Sequence, residues 1–220
     1  MGSDRAKRAG TAQKAGNTRK SGTPRYHHGS LRTALLAAAE RILRRDGLEG
    51  LTLRAAAREA GVSHAAPKNH FDDVRGLLSD LAAIGFRRFR ATMLAEIAAQ
   101  SGKLSRLDAI GLGYIKFAKA NPELFTLMFR SERLDFERPA LRDAHRTAFG
   151  LLAGSVGADD ENDTAATLTV AQAARSAAAW SLVHGFACLM LDGRLRPLLA
   201  QTDTSLSEMD LMPLIFRPAP

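Results

Sequence analysis

Residues 51 to 71 read LTLRAAAREAGVSHAAPKNHF. Thr52 stands where its hydroxyl can cap a helix over LRAAAREA, in which Leu53, Ala56, Ala57 and Ala60 share one face. Gly61 closes that helix, because glycine enters the left-handed turn conformation without a Cβ penalty. Ala57, four residues earlier, is small enough to let a following element pack closely. Ser63 is then placed to cap a third, short helix. Two short helices joined by a tight glycine turn form a helix-turn-helix.

The segment after the turn is polar and contains a proline. With Ser63 as cap, Pro67 lies near the helix start, where its missing N–H removes only the bond that the Ser63 carbonyl would accept. Ala66 is pushed away from helical angles by the proline, so this helix is expected to start late or to be tightened at its N-terminus. A short element that exposes His64, Lys68, Asn69 and His70 together suits a surface that reads DNA.

Outward from this stretch the chain reads as helices. In YHHGSLRTALLAAAERILRRDG, residues 26 to 47, Leu31, Leu35, Ala38, Ile42 and Leu43 fall at helical spacing, with Ser30 as N-cap and Gly47 as stop. A long helix from Val74 to about Gln100 carries Leu77, Leu78, Leu81, Ile84, Phe89, Met93 and Ile97. Leu107, Ile110, Tyr114 and Phe117 continue the pattern. Asn121 and Pro122 mark a stop and restart, since Asn caps well and Pro fits the first helical position. Further helices are predicted over 139–154, over 164–191 ending at Asp192 and Gly193, and within 205–214, with the acidic GADDENDT at 157–164 as a surface loop. The fold class is therefore all-α.

Charge is distributed unevenly. Residues 1–25 carry seven Lys or Arg against Asp4 alone, whereas residues 101–220 carry thirteen basic against fourteen acidic groups. A polyanion bound at the N-terminal end fits that asymmetry. The first 24 residues lack apolar periodicity and are expected to be a disordered basic tail. Cys188 is the one cysteine, which excludes a disulfide framework. No signal-peptide core succeeds the basic start, and LVHGFACLML is too short to span a bilayer, so a cytoplasmic, nucleoid-associated protein without membrane contact is expected.

Residues 26 to 78 resemble the DNA-binding domain of the tetracycline-repressor family, on LLAAAERILRRDG, LTLRAAAREAGVS, the HF pair at 70 and 71, and the LL pair at 77 and 78. YHHG, HAAP, NPELFTLMF (121–129) and WSLVHG (180–185) resemble the subgroup whose C-terminal domain is named for a Trp-His-Gly motif. The resemblance implies a homodimeric regulator of transcription whose binding to a palindromic operator is controlled by a small molecule. It further implies a DNA-binding domain over 25–74 and an effector-binding and dimerisation domain over 75–220. Where the family usually has a leucine and a phosphate-contacting tyrosine, this chain has Pro67 and Lys68, so backbone anchoring passes to different residues.

Tyr26, His27, His28 and Gly29 at the entry to the first helix, with Thr52 at a helix start, are placed for phosphate oxygens. Ser63 opens the reading element, His64, Ala65 and Asn69 suit base edges, and Lys68 and His70 lean toward phosphate. In the C-terminal half, Tyr114, Phe117, Phe125, Met128, Phe129, Trp180 and His184 are the candidates for an effector site, against the alternative of an ordinary core. No cofactor or metal is expected, since the histidines lack supporting Cys or carboxylate spacing. An architectural DNA binder without effector and an all-helical enzyme are the competing readings; no residues nominate themselves for catalysis. The basic tail should release counterions from DNA, so deleting residues 1–24 should flatten the plot of log affinity against log salt. An unchanged slope would leave the tail a solubilising role only.

Overall fold

Leu35, Ala38, Ala39, Ile42 and Leu43 are almost wholly removed from solvent and form the inner face of the first helix, α1, His28–Asp46. The computed structural model describes residues 28–99, 104–157 and 168–216. The basic tail, Tyr26, His27 and the acidic stretch beyond Gly157 lie outside them. α1 begins two residues before the expected cap, so Ser30 lies inside its first turn; His28 and Gly29 already continue the helical run. Gly47, at φ +71°, ends it as expected.

After α1 come α2, Leu53–Glu59, a 3-10 turn, Ala66–Asn69, and the long α3, Val74–Ala99. The C-terminal half adds α4, Arg106–Ala120, α5, Pro122–Met128, a 3-10 turn at Ser131–Arg133, and α6, Pro139–Gly157. α7, Val170–Leu191, α8, Arg196–Leu199, and α9, Glu208–Phe216, complete the order. Every regular element among the described residues is helical.

One expected cap and one further helix start differ for local reasons. Asn121 does not cap α5 with its side chain; its amide turns back and donates to the Phe117 carbonyl at 3.1 Å, closing the C-terminus of α4. α7 starts at Val170, six residues later than expected, because Thr169 and Gln172 form a reciprocal capping box that satisfies the first N–H groups there. Its end is as expected, with Asp192 at the cap and Gly193 at φ +69°.

α3 is the central element. It packs along α4 and α6 and also meets α1 and α5. All eight residues from Gly76 to Ala83 are buried, so this part of the helix is enclosed on every face. Apolar contacts run continuously from Leu35 in α1 through Phe86 and Phe89 to Tyr114, Val183 and Met212. α3 and α4 approach closely at Gly113, where an added Cβ would lie 2.6 Å from the Met93 Cα. Backbone cannot move aside as a side chain end does. Gly113→Ala should therefore lower the unfolding free energy by about 1–3 kcal/mol, although alanine is the better helix former by roughly 1 kcal/mol. Gly150→Ala, where an added Cβ meets nothing within 4 Å, should be neutral or stabilising. Urea midpoints of the two variants test the contrast.

Candidate nucleic-acid interface and effector site

The turn that the sequence singled out is built by backbone bonds. Thr52 Oγ accepts the Ala55 N–H at 3.0 Å and starts α2. At the other end Gly61, φ +69°, donates to the Arg58 carbonyl and Val62 to the Ala57 carbonyl, the paired bonds of a Schellman closure. Arg41 and Arg45 of α1 bond Glu59 and hold its carboxyl below the usual range, tying the end of α2 to α1.

Past the turn the structure corrects one expectation. Ser63 is not a side-chain cap; its carbonyl accepts the Ala66 N–H at 3.0 Å, and Ala65 occupies the cap position without a side-chain bond. The chain then forms four residues of 3-10 helix, Ala66–Asn69. The proline explains this: it contributes no N–H and disfavours α geometry at Ala66, so the tighter pattern takes over. Pro67 and Phe71 are buried beneath the segment, while Ser63, His64, Ala65, Lys68 and Asn69 are exposed on its outer side and His70 is half-buried. Arg32 of α1 lies over the Phe71 ring, 5.8 Å from its centroid. Thr52 is exposed at the start of α2, and the backbone of His28 and Gly29 opens α1. The outcome is a short polar ridge pinned by two apolar anchors.

The candidate effector residues come together around His184. The Tyr114 hydroxyl lies 2.8 Å from His184 Nδ1, and Cys188 Sγ lies 3.6 Å from Nε2. One assignment satisfies both contacts: the phenol donates to Nδ1 and Nε2–H points at the sulfur. Burial raises the Tyr114 hydroxyl well above its ordinary value and lowers the His184 imidazole, so both are neutral at pH 7. Phe125, Phe129 and Trp180 surround the imidazole at 5.7, 4.5 and 6.0 Å between ring centres. Phe117 joins through Phe89, and Met128 faces Gly85 of α3.

Most of this cluster is packed core. Tyr114, Phe117, Phe125 and Met128 are buried, Phe129 and His184 are half-buried, and Trp180 alone reaches the surface, at 37% exposure. Beside Trp180 a crevice opens between α4, α6 and α7, lined by Leu107, Ile110, Leu152, Ser176 and Val183 among others. Its volume, about 10 Å³, matches a single water, so a larger guest has to part the helices. The sequence reading missed these lining residues, and it missed His145 and Phe149 of α6, which extend the aromatic contacts from Phe86 to Trp180. Their spacing of four on a predicted helix was the available signal.

Residues 107–210 match the model of the tetracyclin repressor-like C-terminal domain. A protein of unknown function from Rhodococcus sp. RHA1 is 31% identical, with 87% of this chain and 94% of that chain covered and a TM-score of 0.68. The chain belongs to the tetracycline-repressor family. The same fold appears in a protein assigned to the tetR family of transcription regulators from Shewanella sp. PV-4, at 17% identity, TM-score 0.59 and coverage of 84% and 95%. It appears again in the multidrug binding protein EbrR complexed with imidazole, at 20% identity, TM-score 0.55 and coverage of 92% and 97%. No curated protein matches the chain. Among the described residues no helix is long and apolar enough to cross a membrane, and no group of three or more His, Cys, Asp or Glu is placed to hold a metal.

In this member of the tetracycline-repressor family, His145 gives the aromatic cluster a measurable pH response. It is half-buried among Phe86, Phe136 and Phe149, and burial lowers its pKa from the ordinary 6.5. As pH falls below about 6.5 the unfolded chain takes up this proton first, so stability declines until the lowered native pKa is passed. Above pH 6.5 the contribution is constant. His145→Phe keeps a ring of similar shape and removes the proton site. Urea midpoints measured from pH 7.5 to 5 should fall less steeply in the variant; parallel curves would show that His145 titrates alike in both states.

Proposed function

We propose that the chain is a ligand-responsive transcriptional regulator, a repressor that binds a palindromic operator as a homodimer and is released by a small, largely apolar effector. One observation carries the DNA reading: Ser63, His64, Ala65, Lys68 and Asn69 stand exposed on a segment anchored by buried Pro67 and Phe71. Side chains presented on a rigid base suit groove reading, where Asn pairs two-pronged with adenine and Ala meets a thymine methyl. Lys68, Thr52 and the start of α1 serve phosphates, with Tyr26, His27, His28, Gly29 and His70 in the same role. On this reading residues 25–74 read DNA, residues 75–220 sense and dimerise, and the protein works on the nucleoid in the cytoplasm without catalysis.

Dimerisation is supported by α7. Ala178, Leu182 and Leu189 share an exposed stripe on it, Leu182 and Leu189 being 44% and 43% exposed, and Leu214 of α9 is 66% exposed. A second copy covering these faces sets two reading segments about 34–36 Å apart or a multiple of that, as a palindrome requires. The effector reading is supported by the crevice at Trp180 together with the neutral, aromatic surroundings of His184. A guest that parts α4 from α7 changes the path of α3, against which α1 of the reading unit packs.

Selection of bound fragments from genomic DNA tests the core of this reading, since a specific regulator enriches a palindrome and an architectural binder enriches none. With the operator in hand, Asn69→Ala should weaken specific binding by about 1–3 kcal/mol and relax the preference at one base pair. Lys68→Ala should weaken every sequence alike. Normal operator binding by both variants would move the reading face elsewhere.

A further inference from the structure

The family assignment says nothing of Asp80. It is a carboxylate 3% exposed in the most enclosed part of α3, and its environment is not used by either site above. Its Oδ2 accepts from two guanidinium groups that come from distant parts of the chain. Arg32 of α1 donates at 2.6 Å, and Arg138, the residue before α6, donates at 3.4 Å. Each arginine has a second attachment. The Arg32 guanidinium lies over the ring of Phe71, the buried anchor of the reading segment. Arg138 ends the segment 134–138, which is fastened to α3 at two further points: Arg75 donates twice to the Leu134 carbonyl, at 3.0 and 2.6 Å, and the Asp135 N–H donates to Ser79 Oγ at 2.8 Å. Phe136 in that segment packs edge-on against His145, whose ring continues to Phe149 and Trp180.

We propose that Asp80 is a positioning residue, a shared acceptor that fixes the orientation of the DNA-reading unit relative to the effector half by holding Arg32 and Arg138 on one oxygen. Two cations on one acceptor cannot move independently. A displacement of the α6 start changes what Arg138 takes from Oδ2, and Arg32, with Phe71 beneath it, responds. Burial makes the arrangement selective: a carboxylate enclosed this deeply needs a charged partner, so the clasp exchanges partners at less cost than it opens to none. This inference rests on the proposed reading only where DNA is the readout; the geometric part stands without it.

The test uses the full chain with Cys188→Ala, spin-labelled at Arg54→Cys in α2 and Lys119→Cys in α4, both exposed, and diluted with unlabelled protein so that distances within one chain dominate. Double electron–electron resonance should give a narrow distribution for the parent. Arg138→Gln, which leaves Asp80 its pair with Arg32 and so avoids an uncompensated buried charge, should broaden or shift it. Asp80→Asn should do the same, and the double variant should add nothing to the larger single effect. Arg133→Gln removes only the exposed pair with Glu49 and should leave the distribution unchanged. In unlabelled protein, inserting one base pair between operator half-sites should weaken parent binding on the order of tenfold, the scale of ordinary coupling between sites. Arg138→Gln should lose most of that discrimination while keeping its half-site affinity, a change that reduced stability alone would not produce.

Distributions identical to the parent in both Arg138→Gln and Asp80→Asn would overturn the proposal. So would altered distances with spacing discrimination intact, since positioning would then be irrelevant to DNA. A monomeric mass, or failure to select any operator, would count against the regulator reading instead, and the intrachain distances would still decide the clasp.

Discussion

The fold depends on keeping one long helix enclosed. Residues 76–83 of α3 face protein on every side, so this stretch cannot follow the usual division into an apolar stripe and a wet stripe. Its polar groups must then be answered from neighbouring elements. Ser79 bonds the Arg75 carbonyl within the helix and receives the Asp135 N–H from outside it, and Asp80 receives arginines from two elements. Further along, Glu40 of α1 meets Arg88 of α3; burial pushes that carboxyl up, but Arg88 and Arg44 outweigh it and hold it low. Both halves of the molecule are thereby fastened to the same rod by charge as well as by packing.

The segment Ala66–Asn69 shows how a proline can be accommodated where a regular helix is the simpler solution. Pro67 removes a donor and shortens the element to a 3-10 turn, yet its ring is buried and anchors the segment from below. Phe71 does the same at the far end, and both His70 and Phe71 donate backbone N–H groups to the Pro67 carbonyl at 2.9 Å. Rigidity that a longer helix would draw from its own ladder comes here from two apolar anchors and one doubly used carbonyl.

Much of the architecture was legible because helical spacing of apolar residues survives in α1, α2 and α3, and because Thr52, Gly47, Gly61 and Gly193 act where such residues act most strongly. The two misplaced caps share one cause. Ser63 and Asn121 have the residue types of caps, but which N–H or carbonyl a short polar side chain meets depends on backbone angles a few residues away, set in one case by Pro67 and in the other by the end of α4. Asp80 carries no mark in the sequence, because residues 76–83 are buried on every face and have no wet side to contrast with a dry one. His145 and Phe149 escaped notice for a different reason: their aromatic partners come from α3 and α7, far away in the chain. The candidate effector residues were found as a group by their bulk among alanines, but bulk could not separate packed core from the one surface-reaching ring.

That ring is the single tryptophan of the chain. Trp180 sits edge-on to Phe149 at 4.9 Å, beside His184 and at the mouth of the crevice between α4, α6 and α7. All indole emission of the protein therefore originates at one address, partly wet and partly stacked, and its colour and intensity vary with the separation of these helices. The molecule carries its own optical gauge, placed where α4, α6 and α7 leave a crevice between them.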